Sequence, residues 1–329
     1  MFFPEFTITQ KVLKNIGFIE YYRAIIENTV ILQNWENQLK KEAKIAFIYS
    51  TLQEQGINVH YDAVKRSLDN MEKNVPAEIV NLDNTYNSLS EIARGQELDE
   101  VDIKFLHKEL CQNLIPKMKL GVYRNNKVQG KPMPEQILAD VVELFDWFNS
   151  LDAKEIHPIV TAAILKARLE TIMPFDNFNS VTIDYLIQLV FKITGYAFKD
   201  YVTVPAYYQK TKSEMKSALT TATDEMDFTD WIEYFTEGVA LQVSSVQEKV
   251  KTLAKDTKIA KASGRYKLSE RQEKIIEFIQ NYGMLQNKDF SKVFPNISED
   301  SVLRDLKVLI EKGIIEKNGS TKSSRYELK

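Results

Sequence analysis

The sequence predicts a mainly α chain: a helical domain carrying a small β-hairpin flap, then a C-terminal unit of three helices and a second hairpin. Three observations predict it. Apolar residues recur at spacings of three and four along seven separate segments, the mark of helices with one buried face. Glycine and proline number only 11 and 9 in 329 residues, which disfavours sustained turn-rich β structure. After residue 268 the order changes to three short helical patterns followed by strand, polar tip and strand.

The helical segments come in order as Val12–Ile26, Ala43–Leu52, Val101–Leu114, Pro134–Phe148, Pro158–Thr171, Thr182–Thr194 and Trp231–Val246. Between the third and fourth, Val122-Tyr123-Arg124 and Lys127-Val128 flank Asn125-Asn126, which predicts a hairpin within Gly121–Met133. From Gln247 onward Lys249, Lys251, Lys255, Lys258 and Lys261 punctuate a run ending at Ala262-Ser263-Gly264, a connecting helix and a boundary near Gly264. The expected organisation is an N-terminal helical region (1–95) packed on a core (96–246), a linker helix (247–266) and a C-terminal domain (267–329).

Composition narrows the class. A chain that is 44% hydrophobic can bury a sizeable core. No apolar run approaches the roughly 20 residues needed to span a bilayer, so no membrane partner is expected. The opening Met-Phe-Phe-Pro-Glu-Phe-Thr lacks a basic region followed by an apolar stretch, so no cleaved signal is expected. The one cysteine, Cys111, cannot form an internal disulfide, which fits a cytoplasmic chain. His60, His107 and His157 show no zinc-ligand spacing, so no metal site is expected. Net charge is −3, with 13 Lys and Arg against 10 Asp and Glu after residue 263. The C-terminal unit is thus +3 and the remainder −6, a sign that suits contact with phosphate. Scattered surface charge accounts for so small a difference equally well.

In the C-terminal unit, Ser269-Glu270-Arg271-Gln272 can cap a helix running to Tyr282. A second helix fits Asn287–Val293, ending in Phe294-Pro295-Asn296, and a third fits Ser298–Lys312, stopped by Gly313. Ile314-Ile315-Glu316 and Arg325-Tyr326-Glu327-Leu328 flank a polar tip. This order, with Ile297-Ser298-Glu299-Asp300-Ser301-Val302-Leu303-Arg304-Asp305-Leu306, resembles a winged helix-turn-helix. The resemblance implies DNA as a partner, with the third helix in the major groove, where base edges are distinguishable. Ser301, Arg304 and Lys307 would reach bases or phosphates. Lys317, Lys322, Ser323 and Arg325 on the wing would add phosphate contacts that fix register. A protein-binding unit with solvated charges is the other reading of the same residues, and Asp300 and Asp305 weaken the positive field.

The most informative stretch is Thr171–Asp184. Pro174-Phe175 followed by Asn179 resembles the signature of Fic-domain proteins, His-Pro-Phe-x-Asp/Glu-Gly-Asn-Gly-Arg-x-x-Arg. Met173 stands at the histidine position and Asn177 at the acidic one, with Asp176 just before it. Phe178 and Ser180 replace the two glycines, and Val181 and Asp184 the two arginines. Ile103–Leu110, Gly121-Val122-Tyr123-Arg124, Ile156–Ile164, Tyr207-Tyr208 and Trp231–Phe235 resemble further landmarks of that family, in the same order. The family typically transfers AMP from ATP to a protein hydroxyl, which needs a base, a magnesium ligand and an open phosphate loop. Met173 has no titratable group. Asn177 is a poor magnesium ligand. Phe178 tolerates positive φ badly, and Asp184 sets a carboxylate near any phosphate.

The resemblance therefore implies an inactive Fic-like protein without a cofactor, its cleft a ligand- or protein-binding surface beside the flap, working as a homodimeric DNA-binding regulator. The alternative is an adenylyltransferase with a non-standard site, taking ATP and magnesium and using Asp176 and Asn179. Family members also carry an inhibitory Ser/Thr-x-x-x-Glu-Gly/Asn motif. Ser50 and Glu54 match it and Gln55 departs from it; a plain helix end before Gly56 fits equally well. His157 reads as a helix cap and His107 as a buried core histidine.

Overall fold

Residues 173–178 join two helices that are apolar on nearly every side, and the larger part of the fold is built around that pair. In the computed structural model, which describes every residue except 1, 70, 73, 96, 225, 263–267, 320–323 and 329, these are α8 (Pro158–Ile172) and α9 (Asn179–Ile193). A helix with no polar face has to be surrounded. Around them lie α1 (Gln10–Asn28), α2 (Gln33–Glu54), α3 (Tyr61–Leu68), α4 (Ala77–Ile92), α5 (Glu100–Leu110), α6 (Ile137–Asn149), α7 (Leu151–Glu155), α10 (Pro205–Tyr208), α11 (Lys212–Asp224) and α12 (Thr229–Ala262). Helices α4 and α5 pack on α9, and α6 and α11 on α8. Each fully buried Leu, Ile or Phe in these contacts stabilises by about 1.5–3 kcal/mol. Trp231 of α12 fixes one contact further by donating its indole N–H to the Ala163 carbonyl, 2.7 Å away.

Helix starts follow local capping chemistry. Thr9 accepts from the Val12 amide at α1. Asp99 and Asp102 form a capping box at α5. His157 accepts from the Ile159 amide through Nδ1, with Pro158 opening α8.

The chain divides into two compact units. The helical unit comprises Met1–Thr29 and Lys40–Val250, and the second comprises Val30–Leu39 and Lys251–Lys329. In the second unit α13 (Glu270–Tyr282), α14 (Phe290–Val293) and α15 (Glu299–Glu311) pack with a three-stranded antiparallel sheet. Its strands are β1 (Leu285–Gln286), β2 (Ile315–Asn318) and β3 (Arg325–Leu328), in the order β1-β3-β2. Leu285 and Lys317 both lie opposite Tyr326. Ile275, Ile279, Phe290, Val302, Leu306, Leu309 and Tyr326 form the core. Ser269 and Gln272 make the expected capping box at α13. Gly313, at φ +68°, ends α15 in a conformation that costs glycine little.

The structure corrects several sequence-based expectations. Residues 122–133 form no strand; the backbone amide of Arg124 bonds across to Pro174 instead. The expected helix over Val101–Leu114 stops at Leu110, whose carbonyl is taken by the Asn81 side chain. No separate linker helix begins at Gln247, because α12 runs unbroken for 34 residues from Thr229. The boundary expected near Gly264, and the wing residues Lys322 and Ser323, lie outside the described residues. Helices α3, α4, α7, α10 and α11 and strand β1 were not foreseen. No described helix is long and apolar enough to cross a membrane.

Candidate functional site

Met173 and Phe178, at the two ends of the loop between α8 and α9, both adopt left-handed backbone conformations, with φ of 49° and 57°. For non-glycine residues this costs roughly 1–2 kcal/mol each, so surrounding contacts must hold it. Phe178, which the sequence expects to tolerate positive φ badly, adopts it all the same, so its neighbours must offset the strain. Asn179 is one reason. The Phe175 amide donates to Asn179 Oδ1 at 2.8 Å, and Asn179 Nδ2 donates to the Phe175 carbonyl at 2.7 Å.

Arg124 is the second reason, and sequence reasoning missed its role. Its side chain is buried. Nε donates to the Met173 carbonyl at 2.8 Å and one terminal nitrogen to Ile172 at 3.2 Å and Pro132 at 2.7 Å. The other donates to Asn126 at 2.9 Å. The guanidinium therefore satisfies orphan carbonyls at the C-terminal end of α8, where positive charge is favoured. Phe175 is buried and stacks on His107, with ring centroids 3.9 Å apart. His107 Nδ1 accepts from the Gly121 amide at 3.0 Å, which assigns the ring proton to Nε2. Burial lowers the His107 pKa to about 4, so the ring is neutral. Gly121 is required where it stands: at φ +69°, an added Cβ would lie 2.8 Å from the Lys104 carbonyl oxygen. His107 is the core histidine expected from sequence.

Deeper in the fold, Asp184 does not face an open phosphate site as the aligned motif suggested. It is buried, and its Oδ1 accepts from Lys166 Nζ at 2.8 Å. Lys166 is fully buried on α8, 3.4 Å from Glu170 and over the Tyr208 ring at 5.0 Å. Burial works against its ammonium, but the Asp184 and Glu170 carboxylates outweigh that and hold its pKa well above the usual lysine range. Glu54, at the last position of α2, faces Asp184. Burial first, then the Asp184 charge, raise the Glu54 pKa well above that of an ordinary carboxylic acid. Glu54 Oε2 and Asp184 Oδ2 are both buried with no hydrogen-bond partner, and a proton held on Glu54 gives it a donor for Asp184. Ser50 is buried one turn earlier on α2.

The position aligned with the motif's magnesium ligand carries no carboxylate. Asn177 is exposed at the acidic position. Asp176, the candidate substitute, is paired with Lys119 Nζ at 2.8 Å. Asn179 is committed to the Phe175 backbone, and Ser180 donates to Glu170 at 3.3 Å. Val181 is buried. Among the described residues no group of three or more His, Cys, Asp or Glu side chains is arranged to hold a metal ion. His157 caps α8 as expected, its Nε2 lying 3.1 Å from both Glu20 and the Tyr196 hydroxyl.

In the second unit Arg304 and Lys307 are exposed on α15 and Ser301 is half-buried beside them, its Oγ 3.3 Å from an Arg304 nitrogen. Asp305 points the other way. It is buried and accepts from Arg271 at 2.7 Å and Gln272 at 3.1 Å, so it does not oppose the outward cations as the sequence suggested. Asp300 stays exposed in the first turn. Lys317 and Arg325 are exposed on adjacent strands.

A central buried helix pair with a clamped loop between its members, ringed by further helices, defines a Fic-type fold. Residues 97–191 match the model of the Fic/DOC family. Two curated relatives are both named protein adenylyltransferase fic-1. That of Caenorhabditis briggsae is 23% identical over 205 residues, covering 57% of this chain and 39% of the relative. That of Caenorhabditis elegans is 27% identical over 126 residues, covering 36% and 25%. The chain thus spans well under half the length of either. Among solved structures, a Fic family protein from Desulfovibrio desulfuricans G20 superposes with a TM-score of 0.66 at 18% identity, covering 100% of this chain and 98% of that one. Fic-1 from C. elegans gives 0.62 at 19%, covering 73% and 74%. A Fic domain containing signaling protein from Bacteroides thetaiotaomicron VPI-5482 gives 0.60 at 19%, covering 72% and 98%. At these identities the likeness is one of fold.

Proposed function

We propose that this protein is a catalytically inactive Fic-like chain that binds DNA as a cytoplasmic regulator through residues 267–329, a winged helix-turn-helix. The observation that carries the reading is the sorting of charge on α15: Arg304 and Lys307 are exposed while Asp305 is turned inward onto Arg271 and Gln272. An outer helix face with cations and a serine can engage base edges and phosphates. Inactivity rests on the spent groups of the loop, with no base at 173, no acid at 177 and Asp176 tied to Lys119. The clamped cleft beside residues 121–133 then serves as a surface for a ligand or protein that biases DNA affinity.

The test is fluorescence anisotropy of the full chain with sheared genomic DNA over a salt series. Affinity should fall steeply with salt, and Arg304→Ala or Arg325→Ala should weaken it, each lowering the salt slope by about one if the lost contact is to phosphate. Indifference to both substitutions sinks the proposal.

A second reading, AMP transfer by a non-standard site, is favoured by the left-handed geometry that Phe178 keeps and by the names of the curated relatives. Incubation with labelled ATP, magnesium or manganese and cell lysate decides it: labelled protein that disappears with Asp176→Ala establishes the enzyme.

A further inference from the structure

A cavity of the helical unit lies apart from the clamped loop, and no residue of 173–178 lines it. Its volume is about 420 Å³, at the small end of ligand pockets, which run roughly 300–1,000 Å³. Its walls come from α2, α4, the end of α3, the last turn of α9 and Asp200.

Four lysines line it: Lys40, Lys41 and Lys44 from α2 and Lys192 from α9. Cations gathered around one cavity repel each other, so each needs an acid to hold it there. Asp69, at the C-terminal cap of α3, holds Lys41 at 2.5 Å, and Asp83 of α4 holds Lys44 at 2.6 Å. Asp200 pairs with Lys192, whose side chain is only 10% exposed. Among the described residues these three carboxylates leave one positive charge over, on the exposed Lys40.

The same pairs fix donors around the cavity. An ammonium carries three N–H donors. Lys44 uses two of them, on Asp83 and on Asn87 Oδ1 at 3.2 Å, and Lys192 uses one, on Asp200. Because Asn87 accepts through its oxygen, its amide nitrogen is the end left to donate. Ser90, three residues further along α4, adds a hydroxyl. The lining carboxylates, Asp69 and Asp200, each already receive a lysine, so donors outnumber free acceptors. A phosphate group answers that imbalance better than a carboxylate, since it brings three strong acceptor oxygens together with its negative charge.

We propose that this cavity is a binding site for a phosphate group, free or as the monoester of a small polar molecule. Lys40, Lys44, Lys192 and Asn87 hold its oxygens, and the wall formed by Leu68 and Tyr86 accommodates the organic part of an ester. A ligand held there bridges α2 and α9, the helices that carry Glu54 and Asp184. The site is independent of DNA binding and is tested without DNA.

Isothermal titration calorimetry of the full chain at constant ionic strength tests this with inorganic phosphate, ribose 5-phosphate and ribose as probes. The first two should give saturable heat and ribose none. Lys40→Ala and Asn87→Ala, both at exposed positions and so without effect on folding, should each weaken binding about three- to tenfold. Lys216→Ala, an exposed lysine of α11 that does not line the cavity, should leave it unchanged. Tighter binding of ribose 5-phosphate than of inorganic phosphate supports an ester as the ligand, and equal binding supports phosphate alone. No saturable heat with either phosphate, ribose binding as well as its phosphate, or indifference to both the Lys40 and the Asn87 substitution overturns the proposal.

Discussion

Replacing Glu54 by glutamine isolates the buried proton described above. Asp184 Oδ1 is taken by Lys166, while Asp184 Oδ2 and Glu54 Oε2 are buried with no hydrogen-bond partner. One ammonium faces the carboxyl groups of Glu54, Asp184 and Glu170, so ionising all three would leave buried negative charge uncompensated. Burial and then Asp184 raise the Glu54 pKa in the folded protein, so the native state holds a proton that the unfolded chain has released. The sign follows: this group's contribution is fully present below the unfolded-state pKa and declines as pH rises toward the folded one. The decline is up to about 1.4 kcal/mol per pH unit. Glutamine presents an N–H donor to Asp184 at every pH, so its contribution is flat. Urea denaturation of both proteins at several pH values, followed by the fluorescence of Trp147 and Trp231 in the helical unit, yields the difference directly. Titrations common to both chains cancel in it. The stability of Glu54→Gln relative to wild type should climb as pH rises from about 5 to about 8. A difference that stays constant with pH refutes the shared proton.

Two further outcomes follow from the same region. Asp184→Ala strands the Lys166 ammonium beside weaker partners and should cost about 3–5 kcal/mol in chemical denaturation; a loss under about 1 kcal/mol would mean that Glu54 takes over the pairing by ionising. Asn179→Ala removes both hydrogen bonds to Phe175 and leaves its buried amide unsatisfied, which should cost about 2–3 kcal/mol and increase hydrogen exchange at residues 173–178.

How much of this was legible in the sequence depended on where the physics was local. Helices α8 and α9 were readable because their apolar character is continuous, and α13–α15 because caps and turn residues mark their ends. The first turns of α2, the whole of α11 and the short α3 are polar or brief, and tertiary contacts decide them. The hairpin forecast for 121–133 followed a sound local pattern of β-formers around Asn125-Asn126. It failed because a single guanidinium takes over the hydrogen bonding of that segment, a long-range effect that no strand pattern encodes. Glu54 and Asp184 were picked out only through the resemblance to a known motif, and their direct meeting could not be read from it. Lys166 carried a signal that went unused: a charged residue in a helix with no polar face must find its counter-ions inside.

With no ladder of its own, the segment from 122 to 133 borrows its order from the clasp that Arg124 makes on the end of α8. The two stretches therefore share one fate. Whatever unfastens that arginine should loosen the segment and the 173–178 turn together, as one cooperative event, and a lysine in its place would offer a single point of grip where four carbonyl contacts now converge.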